Sequence, residues 1–239
     1  MELRKKALLI GLVLGDGCIV KQTKYYPKST RHYYNFEVIH TEPQKEYLEW
    51  KAEICRKLTG KKCIVRFKEP AKIKKMKNGN IINSKASYRF TCCDKYFRVL
   101  YHWLYPGGKK KIGSKYLNYL TPEAIAIWYM DDGSTYKDKK KPNVFTCEIA
   151  THTPLEETNY IINYFKEKWD IEFHLHKRAE DQYCIRCYTV NAAKFIFLIS
   201  PFVPKCMDYK VNVPKYYFQE ISGSWISKIM KYSELYSNV

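Results

Sequence analysis

Leu9-Ile-Gly-Leu-Val-Leu-Gly-Asp-Gly17 and Ile125-Ala-Ile-Trp-Tyr-Met-Asp-Asp-Gly133 decide how this chain folds. Each is an apolar run of helical length that stops at Asp-Gly, an ordinary helix-ending signal. The aspartates before the glycines are Asp16 and Asp132, nearly half the chain apart. A carboxylate in the last turn of an apolar helix is poorly placed, because the helix C-terminus already carries partial negative charge. Two such helices packed together bring both carboxylates to one spot, and a hard divalent cation such as Mg²⁺ or Ca²⁺ offsets the charge. Ala7, Gly11 and Gly15 recur at i, i+4 and i+8 and so share one helix face. A glycine inside a helix costs roughly 1 kcal/mol relative to Ala. Close approach of another backbone is the expected reason for two of them.

Charge narrows the partners. The 239 residues include 42 Lys+Arg against 24 Asp+Glu, a formal net charge of +18. Such an excess points to a polyanion, nucleic acid ahead of an acidic membrane surface. No apolar run reaches the ~18 residues of a membrane span, and the first motif begins too early to leave room for a cleaved leader. Nine scattered cysteines fit a reducing compartment (a prokaryotic or phage-infected cytoplasm, or an organelle) rather than a disulfide scaffold. Cys184-Ile-Arg-Cys187 has metal-ligand spacing, but it lies in an alternating, strand-like run with no second pair. It reads as packed thiols. A GxxxxGK[ST] nucleotide loop is absent.

Taken in order, residues 7–17 read as a helix, then 18–26 and 33–40 as a hairpin joined by a basic, proline-containing turn. Pro43 opens an amphipathic helix to Leu58. Residues 62–69 alternate with Cys63, Val65 and Phe67 on one face. A lysine-rich turn holding Asn78-Gly79-Asn80 leads to a strand over 81–92. Asp94 caps a helix to Trp103. Thr121-Pro122 opens the second motif helix as cap and first-turn proline. A basic hairpin over 134–150 follows, with Phe145, Cys147 and Ile149 inward. Next come a helix from Pro154 to Trp169, strands at 171–177 and 183–190, and a helix from Asn191 to Ile199. The tail is less regular, with one more helix over 224–237. The order is therefore helix–strand–strand–helix–strand–strand–helix, twice, and Glu37 and Glu148 fall in corresponding strands.

On these residues the chain resembles the LAGLIDADG homing endonucleases in their single-chain, two-motif form. The signature runs through Leu9–Gly17 and Ile125–Gly133, with Leu120-Thr-Pro-Glu-Ala leading into the second copy. Gly108-Lys-Lys-Lys-Ile resembles the family's basic turn, and Pro204-Lys-Cys-Met-Asp-Tyr-Lys210 its counterpart. Ile127 and Asp131 depart from the signature, which has small residues there, so small-against-large packing is expected between the motif helices.

The resemblance implies an α+β fold of two pseudo-symmetric αββαββα units, each with a saddle-shaped antiparallel sheet, and the motif helices packed at the interface. The expected divisions are 1–104 as first unit, 105–120 as linker with the basic turn, and 121–239 as second unit with its tail. It further implies that Asp16 and Asp132 hold Mg²⁺, with Mn²⁺ able to substitute and Ca²⁺ supporting binding without cleavage. Asp131 is set aside because only Asp132 precedes glycine as Asp16 does. Lys110 and Lys210 are the implied basic residues near the two active sites, stabilising charge at phosphorus or holding the water network, with Lys109 and Lys111 as competitors for the former. Metals held by paired carboxylates supply what phosphodiester hydrolysis needs: an activated water and stabilised charge.

The expected activity is a site-specific double-strand break in a long DNA target, serving intron or mobile-element homing and made by a monomer. The alternative is an RNA-binding intron maturase, or a DNA-binding regulator, on the same fold. A two-stranded ribbon fits the major groove. Candidate DNA contacts on strand faces are Lys21, Lys24, Arg31, Arg66, Lys68 and Arg89 in the first half. In the second they are Lys137, Lys139, His174, His176 and Arg186.

Overall fold

Both apolar runs are helices in the computed structural model, which describes residues 2–26, 29–75, 81–137, 144–213 and 215–237. The first part of the chain forms α1 (Leu3–Leu14), β1 (Cys18–Tyr26), β2 (Ser29–Thr41), α2 (Lys45–Thr59), β3 (Arg66–Glu69), β4 (Lys72–Lys75), β5 (Ile81–Ser84), β6 (Ser87–Cys93) and α3 (Lys95–Leu104). The rest forms α4 (Ser114–Leu117), α5 (Pro122–Asp132), β7 (Gly133–Lys137), β8 (Phe145–Thr153), α6 (Leu155–Trp169), β9 (His174–Ala179), β10 (Gln182–Tyr188), α7 (Thr189–Ile199) and α8 (Gly223–Ser237). Two compact units result: Met1–Gly15 with Gly107–Val239, and Asp16–Pro106.

In the first of these units α1 packs on α5, and every residue from Ala7 to Leu14 is buried. An all-round apolar helix can be stable only when enclosed. α5 is likewise buried at Pro122 and from Ala124 to Met130. Thr121 accepts a hydrogen bond from the Ala124 N–H and Pro122 needs no donor, so the start of α5 is set as its sequence predicts. The sheet runs β7-β8-β10-β9, all antiparallel. Phe145, Cys147 and Ile149 point into the core with Ile185 and Cys187, beside an aromatic cluster of Phe165, Phe173 and Phe195. α8 is held by the Trp225 indole, which donates to the Trp169 carbonyl.

The other unit repeats this pattern. Its sheet runs β1-β2-β6-β3, with β4 and β5 forming a separate ribbon. Phe36, Val38, Phe90 and Cys92 form its core face, and Phe36 stacks on Phe97 of α3 at 4.7 Å. Asp94 accepts from the Tyr96 N–H and caps α3. The strand order is thus the same in both halves, which is the duplication read from element order. Among the described residues no helix is long and apolar enough to cross a membrane.

Element boundaries differ from the sequence reading in instructive places. α1 begins at Leu3 and ends at Leu14, so Asp16 lies beyond the helix, whereas Asp132 is the last residue of α5. Residues 62–65 form no strand, because pairing with β6 begins at Arg66, and Phe67 on this edge strand is exposed. The run over 81–92 breaks at Lys85-Ala86, and its first part joins the β4–β5 ribbon. β9 starts at His174, which leaves Leu175 exposed and Phe173 in the core. In β10 both Cys184 and Ile185 are buried, since a register shift between Tyr183 and Ile185 interrupts the alternation. Asn191 does not start α7; its side chain accepts from the Glu172 N–H instead. The turns at Pro27 and at Asn78-Gly79-Asn80 lie outside the described residues.

Candidate active site and nucleic-acid interface

The last carbonyls of a helix have no partners within it and concentrate negative potential. At the end of α1 this is answered by Lys110, whose Nζ donates to the carbonyls of Val13 (3.0 Å), Leu14 (3.1 Å) and Gly15 (2.9 Å). At the end of α5 it is answered by Lys210, whose Nζ donates to the carbonyls of Asp131 (3.3 Å) and Gly133 (2.8 Å). The Lys210 carbonyl accepts from the Thr135 hydroxyl at 2.6 Å, which ties that segment to β7. Two lysines, each far in sequence from the helix end it meets, therefore cap the two motif helices in the same way. Lys109 and Lys111 line the cleft beside Lys110.

The packing of α1 on α5 brings these ends together. Contacts run in parallel order: Arg4 to Glu123 (3.1 Å), Gly11 on Ala124, Gly15 on Asp131. A Cβ on Gly11 would stand 2.6 Å from the Ala124 carbonyl oxygen, and one on Gly15 2.1 Å from Asp131 Oδ2. Both glycines are explained by close approach. At Gly15 the packing is small against large, as the departure at Asp131 suggests.

Asp131 fills the interface while Asp132 lines a cleft of about 600 Å³ with Gly15, Lys110, Trp128, His152, Glu157 and Gln182. The Trp128 indole N–H donates to Asp132 Oδ2 at 3.1 Å and orients that carboxylate one turn further on. His152 has a φ of 48°, a left-handed backbone that a non-glycine residue adopts at a cost. Nothing in its local sequence singles it out.

Asp16 is the first residue of the other unit and is half-exposed. Within that unit His40 Nδ1 stands 3.7 Å from Asp16 Oδ2 and 3.1 Å from Gln44 Oε1. His40 Nε2 lies 3.0 Å from Lys51 Nζ. Lys51 is fully buried, with Nζ 4.6 Å from the centre of the Tyr47 ring. An ammonium only donates, so Nε2 accepts and the imidazole proton sits on Nδ1, facing Gln44 and Asp16. Sequence reasoning missed His40 and Lys51. One signal was available: Lys51 occupies the apolar stripe of α2 between Leu48 and Cys55.

The strand candidates divide by register. Lys24 pairs with Arg31, and Arg66 with Arg89, on the sheet face opposite Phe36 and Phe90. Lys21 pairs with Tyr34 and Lys137 with Phe145, so by register both lie on the core-side face, although both are exposed. Lys68 sits at the register shift of β3 and ion-pairs with Glu69. His174 pairs with Arg186, and His176 follows on the same outer face. Lys139 lies outside the described residues.

Two arginines are already engaged. Arg89 donates to Glu37 at 3.1 Å, and Arg186 to Glu148. Arg178, which sequence reasoning did not select, also donates to Glu148. Burial alone would raise the Glu148 carboxyl, but the hydrogen bonds from Arg186 and Arg178 outweigh it and leave the pKa lowered.

Residues 6–195 match the profile of the LAGLIDADG DNA endonuclease family. Among curated proteins, Protein RecA of Mycobacterium gastri is 23% identical over 240 residues, covering 94% of this chain and 51% of that protein. This chain spans about half the length of such RecA relatives. DNA endonuclease I-ChuI of Chlamydomonas applanata is 26% identical over 220 residues, covering 87% of this chain and 94% of that one. Among solved structures, the homing endonuclease I-WcaI bound to its DNA recognition sequence superposes with a TM-score of 0.67 at 21% identity. That match covers 89% of this chain and 88% of the other, and it shows a shared fold.

Proposed function

This chain belongs to the LAGLIDADG DNA endonuclease family, and on that premise we propose that it is a monomeric homing endonuclease. It makes a divalent-metal-dependent double-strand break in a long DNA target by hydrolysing one phosphodiester on each strand. The observation that carries this reading is the matched capping of the two motif helices by Lys110 and Lys210. Such capping fixes each Asp-Gly terminus and adds a cation where a phosphodiester must approach.

Asp16 and Asp132 are the proposed metal-holding residues. Each suits a hard cation: both are carboxylates, Asp16 is half-exposed, and Asp132 lines an open cleft. When bound, Mg²⁺ supplies Lewis-acid activation and charge neutralisation at phosphorus. The chain's own residues do the rest. Trp128 holds the Asp132 carboxylate in place. Lys110 and Lys210 hold the helix ends and stabilise the charge that develops on the phosphoryl oxygens. In the second unit, His40 turns its Nδ1–H toward Asp16 and Lys51 keeps it so. The charge of +18 supports binding to a polyanion.

The decisive assay uses the intron-less allele of the host gene as substrate, with Mg²⁺, Mn²⁺, Ca²⁺ or EDTA. Wild type should cut both strands in Mg²⁺ or Mn²⁺ and bind without cutting in Ca²⁺. Asp16→Asn and Asp132→Asn should each abolish cutting while Ca²⁺-supported binding persists. Tight, salt-sensitive binding with no cutting in any metal would overturn the proposal in favour of a maturase or a regulator.

A further inference from the structure

Three cysteines that the endonuclease reading leaves unused meet inside the Asp16–Pro106 unit. Cys55 comes from the second half of α2, Cys63 from the irregular stretch after it, and Cys92 from β6. Their sulfur atoms all lie within 4.8 Å of one another. All three are free thiols, and their exposures are 0%, 8% and 2%. One buried cysteine is ordinary packing. Three sulfurs converging from a helix, a loop and a strand need a further reason. A metal–thiolate bond of about 2.3 Å places sulfurs roughly 3.8–4.0 Å apart around one ion, and the observed spacing accommodates that.

We propose that Cys55, Cys63 and Cys92 form a structural site for one thiophilic d¹⁰ cation, of the Cu⁺ or Zn²⁺ class. Soft thiolates select such ions over the hard cation assigned to the carboxylates. Three thiolates alone suit Cu⁺, whereas Zn²⁺ adds a fourth donor. Oxygens stand close by: the Thr59 hydroxyl is 3.6 Å from Cys92 Sγ, and the Lys61 carbonyl 3.6 Å from Cys63 Sγ. Binding replaces three S–H bonds by three sulfur–metal bonds and releases three protons. The Lys61 side chain supplies positive charge toward Cys92. The ion ties the C-terminal part of α2 to β6, the strand that presents Arg89 and pairs with Arg66.

The test uses the full chain, reduced, stripped by chelator and titrated anaerobically with Cu⁺ or Zn²⁺ against a chromophoric chelator. One equivalent should bind, and X-ray absorption at the metal edge should count three sulfurs at about 2.3 Å. Cys55→Ser, Cys63→Ser and Cys92→Ser should each weaken binding by roughly a hundredfold or more. Cys93→Ser, on the neighbouring exposed residue, should leave it unchanged. An oxygen- or nitrogen-only shell in the wild type overturns the proposal even if the serine variants misfold. So does equal binding by Cys92→Ser.

Discussion

Lys51 is the residue whose environment is hardest to reconcile with a purely structural role. A buried ammonium is costly unless it is hydrogen-bonded, and here it donates to His40, which faces Asp16. Lys51→Met keeps the volume and removes the donor. It should redistribute the His40 tautomers, visible in the ring ¹⁵N shifts, and slow cleavage at least ~10-fold while Ca²⁺-supported DNA binding holds. Lys110→Met and Lys210→Met should each lower cleavage by roughly 10²–10³-fold, the usual loss for one preorganised electrostatic group. Glu148 gives a pH signature. Its folded pKa is lowered, so its stabilisation is present above the unfolded value near ~4.3 and is lost as pH falls through the lower, folded value. In urea melts, wild type should exceed Glu148→Gln by about 1.5–3 kcal/mol at pH 7. The gap should narrow on acidification below about pH 4.

At the scale of elements, the α1–α5 contact is set by what is absent from two glycines. A Cβ at Gly11 meets backbone, which no rotamer change can move, whereas a Cβ at Gly15 meets the Asp131 side chain. Gly11→Ala should therefore destabilise by about 1–3 kcal/mol despite alanine's better helix propensity. Adding Asp131→Ala should partly relieve Gly15→Ala and do nothing for Gly11→Ala, as read from denaturation midpoints. The glycine repeat was visible in the sequence, and so was its meaning as a close-approach face. The register of α1 against α5 was not, because it depends on which side chains of α5 fill the spaces.

For the whole molecule, the proposed DNA binding is expected to depend on the net charge of +18. Binding should weaken on the order of 10³–10⁵-fold between 50 and 200 mM salt, measured by fluorescence anisotropy, if some six to ten phosphates are contacted. Arg89→Ala should lower the salt slope only slightly, because Glu37 already offsets its charge. The residues by themselves determined the two motif helices, the doubled element order, the caps at Asp94 and Thr121, and the basic character. All of these follow from local periodicity, backbone chemistry and composition. Only the tertiary structure decided which of three consecutive lysines reaches α1, that Lys210 mirrors it, that Lys51 is buried against His40, and that Cys55, Cys63 and Cys92 converge. Each of these is a contact between segments distant in sequence. Such pairings leave no periodic trace, because packing, not local preference, selects the partner.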